Sequence, residues 1–104
     1  MIRAWGVVAR MSSEYLSTPG EILSEEFMRP LNVTAYRLAK TIGVSQTAVG
    51  EIIHGKRAIS VAMAYRLAKA FDTTPEFWVN LQRDYDLLSF DPSQLGDIRP
   101  LANA

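Results

Sequence analysis

The 104-residue chain has no cysteine, a single histidine, no net charge and no long apolar run, and each absence removes a class of function. Without cysteine there are no disulfides, thiolate metal sites or cysteine nucleophiles, a composition that fits a reducing cytoplasm. No apolar stretch approaches the roughly 18–20 residues of a membrane-spanning helix, so no membrane partner is expected. The opening MIRAWGVVAR is apolar over too short and broken a stretch for a signal peptide. His54 has no carboxylate cluster at ligand spacing, so neither a metal nor another cofactor is expected. No phosphate-cradling glycine loop, nucleophile elbow or His–carboxylate pair at helical spacing is present, and the Glu25–Glu26 and Asp84/Asp86 pairs read as solvated charge. An enzyme is therefore not expected.

What is present is helix punctuation. The length suits one domain with a single core, and 48% apolar against 21% charged residues argues against wholesale disorder. Thr18-Pro19-Gly20-Glu21 reads as an N-cap, a first-turn proline and a capping-box glutamate. The helix it opens places Ile22, Leu23, Phe27 and Met28 on one face, Glu25 and Glu26 away from it, and stops at Arg29-Pro30. Leu31 and Val33 are expected to plug the core. Ser60 caps a fourth helix with Met63, Ala64, Leu67, Ala68 and Phe71 inward, and Asp72-Thr73 breaks it. Thr74-Pro75-Glu76 opens a fifth, carrying Phe77, Trp78, Leu81, Tyr85 and Leu88. No stretch demands a sheet, and five helices in an all-α bundle is the expected fold. Residues 1–17 are an N-terminal arm of uncertain order in which Trp5, Val7 and Val8 form either a short strand or an arm lying on the domain or on a partner, with Met11 an alternative start. Residues 18–90 form the domain, and 91–104, with Pro92, Gly96 and Pro100, a loose tail.

The centre of the chain is Thr34 to Arg57, TAYRLAKTIGVSQTAVGEIIHGKR. Thr34 to Thr41 and Ser45 to His54 read as two short helices, joined by a turn whose Gly43 supplies a left-handed residue and whose Ser45 caps the second helix. Ala39 is small where the two helices cross. This is a helix-turn-helix layout, whose second helix enters the DNA major groove. Ser45, Gln46 and Thr47 are polar at the start of that helix; glutamine pairs bidentately with adenine, and threonine meets a thymine methyl or a base acceptor. Gly50 marks either a close approach to DNA or a tolerated flaw. Glu51 either accepts from a cytosine amino group or is solvated, limiting non-specific binding. Past the helix, Lys56 and Arg57 are placed to contact phosphates, which set register and salt-dependent affinity. Thr34, Arg37 and Lys40 either clamp phosphates or decorate the surface. Residues 34–71 carry six basic side chains and one acid, a net +5, while the rest of the chain carries −5. The zero total hides a basic centre between acidic ends. On the fifth helix, Phe77 and Leu81 suit the core, and Trp78 and Tyr85 lie at the edge of the stripe, where a symmetric contact would supply a second copy for a palindromic site.

TPGEIL, GVSQTAV followed by IIHGKRAIS, AYRLAKAF and TTPEFWVNLQRDYDL together resemble the HigA/VapI-type antitoxins of the XRE (Cro/C1-repressor-like) helix-turn-helix class, over roughly Thr18 to Leu88. The resemblance implies a five-helix, lambda-repressor-like DNA-binding domain in the bacterial cytoplasm, associated with the nucleoid. It implies a homodimer that binds palindromic double-stranded operator DNA, represses its own toxin–antitoxin operon and neutralises a HigB-type mRNA-cleaving toxin of RelE-like fold. The resemblance matches Ser45, Gln46, Thr47, Lys56 and Arg57 to the motif's DNA-contacting positions, and Phe77, Trp78 and Tyr85 to the terminal helix used for packing and dimerisation. With the readings above, the expected DNA contacts are Thr34, Arg37, Ser45, Gln46, Thr47, Gly50, Lys56 and Arg57, and the expected dimer interface is Phe77, Trp78, Leu81 and Tyr85. One departure is Ala35, where Cro-like domains often place a phosphate-contacting glutamine. Some relatives are free-standing repressors without a toxin. The acidic Glu14, Glu21, Glu25 and Glu26 fit either a basic toxin or a solvated face.

Overall fold

Thr18 starts the fold. In the computed structural model, which describes residues 16–103, its hydroxyl accepts from the Glu21 backbone N–H at 3.1 Å, and the Glu21 carboxylate accepts from the Thr18 N–H at 2.9 Å. The expectations attached to Trp5, Val7, Val8, Met11 and Glu14 lie outside the described residues. Helix α1 (Pro19–Ile22) runs directly into a π-helical stretch, Leu23–Met28, where the Arg29 N–H reaches back five residues to the Ser24 carbonyl at 2.9 Å. A plain α-helix was expected here. The i→i+5 bonding puts residues four and five apart on one face, and Leu23, Phe27 and Met28 are all buried.

Leu31 does not plug the core: it is 61% exposed, because the chain turns at Asn32, which takes a left-handed φ of 57°, and only Val33 packs inward. Thr34 then caps α2 (Ala35–Ile42), accepting from the Arg37 N–H at 3.1 Å. Gly43 ends that helix at φ 74°, as the turn requires, and Ser45 caps α3 (Gln46–Ile53) by accepting from the Ala48 N–H at 3.0 Å. Ser60 caps α4 (Val61–Phe71) and Thr74 caps α5 (Pro75–Ser89) in the same manner. Beyond α5, Asp91 caps a short 3-10 turn, Pro92–Leu95, and its hydrogen bonds from Ser93 hold the carboxyl below its ordinary pKa. A second such turn is Leu101–Asn103. The described residues contain no strand.

All five helices contribute to one core. Ala39 is buried where α2 crosses α3, beside Leu38, Val49 and Ile52, and Ile59 anchors the loop into α4. The Ile59 N–H donates to Gln82 Oε1 at 2.8 Å, tying that loop to α5. An aromatic cluster closes the other end: the Phe27 ring lies 4.8 Å from Trp78 and 5.6 Å from both Phe71 and Phe77. Trp78 is 0% exposed, and its indole N–H donates to Thr73 Oγ1 at 2.7 Å. Leu81 is 5% exposed. Trp78 and Leu81 therefore belong to the chain's own core and are withdrawn from the expected dimer interface; Phe77 and Tyr85 are half-buried.

The tightest packing involves a backbone. Gly20 is buried against the end of α3, where a Cβ would lie 1.7 Å from the Ile52 carbonyl oxygen. Relief would have to come from backbone, so Gly20→Ala is expected to destabilise the protein by at least the ~3 kcal/mol at the top of the usual overpacking range. Trp78→Ala is expected to cost ~3–5 kcal/mol by leaving a cavity. Urea denaturation checks both; a loss below ~1 kcal/mol for Trp78→Ala would contradict its place in the core.

Candidate nucleic-acid interface

Helix α3 buries Val49 and Ile52 and turns its other side outward. At roughly 100° per residue, Gln46, Gly50, His54, Thr47 and Glu51 fall within an outward arc of about 140°. Gln46 and Thr47 are exposed at its start, beside the exposed cap Ser45. A hydroxyl that accepts one backbone N–H keeps its own proton to donate, so Ser45 and Thr34 can each cap a helix and still meet a phosphate oxygen. Both lie at helix N-termini, where free N–H groups and the helix dipole favour an anion.

Gly50 is a dent in this arc. A Cβ there would meet nothing within 4 Å, so the fold itself does not require glycine at this position. The carbonyl of Gly50 accepts from His54 Nδ1 at 2.7 Å. A carbonyl only accepts, so Nδ1 carries a proton in this contact and Nε2 faces outward on the exposed ring. His54 was read from the sequence only as a lone histidine; its place one turn beyond Gly50 makes it a member of the outward face. The spacing of eight residues from Gln46 was the available signal.

The end of α3 is a Schellman turn. The Gly55 N–H donates to the Ile52 carbonyl at 3.1 Å, and the Lys56 N–H donates to the Glu51 carbonyl at 2.8 Å. Gly55 takes φ 75°, which the turn demands. Lys56 leaves this turn exposed and without an ion-pair partner among the described residues. Arg57 differs from expectation: it is exposed but paired with Glu51, its Nη2 2.6 Å and its Nε 2.9 Å from Glu51 Oε1. Arg37 is exposed on α2, and the Lys40 ammonium lies 5.7 Å from the centre of the Tyr36 ring. Arg66 is committed to the fold, donating through Nη1 to the Ile42 carbonyl at the end of α2. The basic centre is thus divided between structural and outward-facing cations.

This geometry agrees with known proteins. The helix-turn-helix family pattern matches residues 25–78. Antitoxin HigA of Pseudomonas aeruginosa, solved with the higBA promoter, has the same fold with a TM-score of 0.75 at 38% identity, over 82% of this chain and 97% of that one. Antitoxin HigA-1 of Vibrio cholerae is 40% identical over 68 residues, 65% of this chain and 64% of that protein, so the chain spans just under two thirds of its length. The chain is a helix-turn-helix protein of the XRE class and the HigA/VapI type. A helix-turn-helix-type transcriptional regulator of Haemophilus influenzae is also 40% identical, over 86 residues, 78% of this chain and 80% of that one. Helix-turn-helix proteins of this type bind DNA and are not enzymes. Among the described residues no helix is long and apolar enough to cross a membrane.

In a helix-turn-helix protein, an unforced glycine on the reading helix is informative. Mid-helix glycine costs ~1 kcal/mol relative to alanine. Gly50→Ala is therefore expected to raise stability by up to that amount while weakening operator binding, because the added methyl fills the dent. A thermal melt and a titration against the upstream DNA check both, and unchanged affinity would remove Gly50 from the contact surface.

Proposed function

We propose that this chain is a sequence-specific DNA-binding antitoxin, which represses its own operon as a homodimer and neutralises a HigB-type mRNA-cleaving toxin. The observation that carries the reading is the outward face of α3: Gln46 and Thr47 exposed at its start, Gly50 open, and Lys56 set just beyond its end. Gln46 and Thr47 read bases. Thr34, Arg37, Ser45, Lys56 and Arg57 hold phosphates and fix the register. The basic central segment offsets the acidic ends locally, so a neutral chain still presents a positive surface to the duplex. The site of action is the bacterial cytoplasm, at the nucleoid.

A two-turn reading helix spans few base pairs, and a two-fold dimer on half-sites ~34 Å apart doubles the contacts. The apolar surface for that contact is on α5. With Trp78 and Leu81 inside the core, its candidates are the half-buried Phe77 and Tyr85 and, towards the end of the helix, the exposed Leu87 and Leu88. The toxin is the product of a small neighbouring gene with a basic, ribonuclease-like composition.

Gel-shift titration against the upstream region tests DNA binding. Gln46→Ala is expected to lose ~1–3 kcal/mol of preference for the operator over scrambled DNA; equal preference would displace Gln46 as a reader. Lys56→Ala is expected to weaken binding to all sequences and reduce the salt slope by about one. An unchanged slope would take Lys56 out of the phosphate set. Leu87→Glu with Leu88→Glu is expected to yield monomers in sedimentation velocity, and a persistent dimer would place the interface elsewhere. Co-expression with the neighbouring gene is expected to yield a complex and restore growth; failure of both would leave a repressor without a toxin.

A further inference from the structure

Glu51 places a carboxylate on the face that meets a polyanion, which raises the question of what it does there. It lies one turn after Thr47 on the outward side of α3, with its side chain 39% exposed. A bare carboxylate there would repel phosphates, but this one is not bare. Both donated bonds from Arg57, through Nε at 2.9 Å and Nη2 at 2.6 Å, converge on the single oxygen Oε1. The Schellman turn fixes the backbone between the two residues, so the guanidinium comes from a short, ordered tether. Two features of the pair are left over. Glu51 Oε2 has no hydrogen-bond partner among the described residues, and neither has Arg57 Nη1.

The major-groove donors open to a carboxylate are the exocyclic amino groups of cytosine and adenine, and cytosine is the better partner because adenine sets its N7 acceptor beside the amino group. A guanidinium with an unused edge has a different partner, a phosphate oxygen. We propose that Glu51 reads a cytosine through Oε2, and that Arg57 is its positioning residue, holding Oε1 while Nη1 donates to the DNA backbone. The arrangement converts an acid that would oppose binding everywhere into one that opposes it except over a C·G pair. At a guanine or thymine the same oxygen meets only acceptors, and at an adenine the N7 acceptor beside the N6 amino group repels the carboxylate, so its desolvation is poorly compensated. The proposal rests on the DNA-binding reading above and adds Glu51 to Gln46 and Thr47 as a base reader.

The test is selection of bound duplexes from a random pool with wild type, Glu51→Ala and Arg57→Lys. Glu51 is part-exposed and alanine is the better helix former, so the first variant is expected to fold normally, which circular dichroism checks. Wild type is expected to select a motif with a C·G pair that Glu51→Ala no longer requires. Replacing that pair is expected to weaken wild type by about 5- to 150-fold, the range of a mismatched base pair, and to leave Glu51→Ala nearly unaffected. Arg57→Lys keeps the charge and hence the salt slope, but loses the fork, so discrimination at the same pair is expected to fall. A phosphate contact alone would leave Arg57→Lys like wild type, and that result would overturn the positioning role. If Glu51→Ala selects the wild-type motif, or binds every duplex more tightly with unchanged preferences, Glu51 only repels phosphate and the proposal fails. If wild type enriches no motif from the pool, the DNA-binding reading itself fails, and the cytosine contact with it.

Discussion

Gly20 sits directly against the Ile52 carbonyl, with no room for even a methyl group between α1 and the last turn of α3. The placement of the reading helix depends on that contact. α3 is only eight residues long and could not hold its own shape in isolation. It is gripped at its end by the backbone of α1, along its inner face by the core around Val49 and Ile52, and across the turn by α2, where Ala39 permits a close crossing. The capping box at Thr18 matters for the same reason. It fixes the entry of α1, and through Gly20 it fixes the far end of the helix that faces outward.

The rest of the frame keeps α1 from shifting. Phe27 follows Gly20 by seven residues, across the π-helical stretch, and lies among Phe71, Phe77 and Trp78. One end of the first helix is thus held by backbone contact and the other by aromatic rings. The Phe27–Phe77 pair is edge-to-face, and aromatic pairs in such favoured geometry contribute ~0.5–1.5 kcal/mol beyond area burial. Gln82 adds a cross-link from α5 to the loop after α3, and Arg66 closes the end of α2 by donating to the Ile42 carbonyl. Each of these contacts has a positional consequence for the outward face of α3, although none of the residues lies on it.

What the sequence could reveal follows from how local each cause is. The caps at Thr18, Ser45, Ser60 and Thr74 and the left-handed Gly43 were legible because a cap involves only the next few residues. Trp78 was misplaced because helical spacing sets its direction only to within a stripe, whereas its burial depends on Thr73 and Phe27, the latter some fifty positions away. Leu31 was misplaced because its direction is decided by the left-handed Asn32, a conformation that a non-glycine residue does not advertise. The role of Gly20 was hidden for a related reason: in the first turn of a helix a glycine reads as neutral, and its need arises only from the carbonyl of Ile52. At the site, residue types and their order were visible, but the pairing of Glu51 with Arg57 was not, since both had separate, plausible roles.

That pairing changes the electrostatic argument. A basic central segment attracts DNA without regard to sequence, and such attraction is lost steeply with salt. Discrimination has to come from groups that are favourable over one base and costly over another. Of the six basic residues between 34 and 71, Arg66 is bound to a carbonyl and Arg57 to a carboxylate, which lowers the non-selective attraction. What remains outward is a small number of cations around a face of amide, hydroxyl, imidazole and carboxylate groups with a dent at Gly50. A surface of this composition binds a random duplex weakly, so most of its affinity has to be supplied by a matched sequence. One copy reads only a few base pairs, and each matched contact contributes ~1–3 kcal/mol. On the proposed reading, two copies on a palindrome would double that contribution, joined through exposed apolar residues at the end of α5. On that reading, the modest charge of the chain and the second copy answer the same requirement.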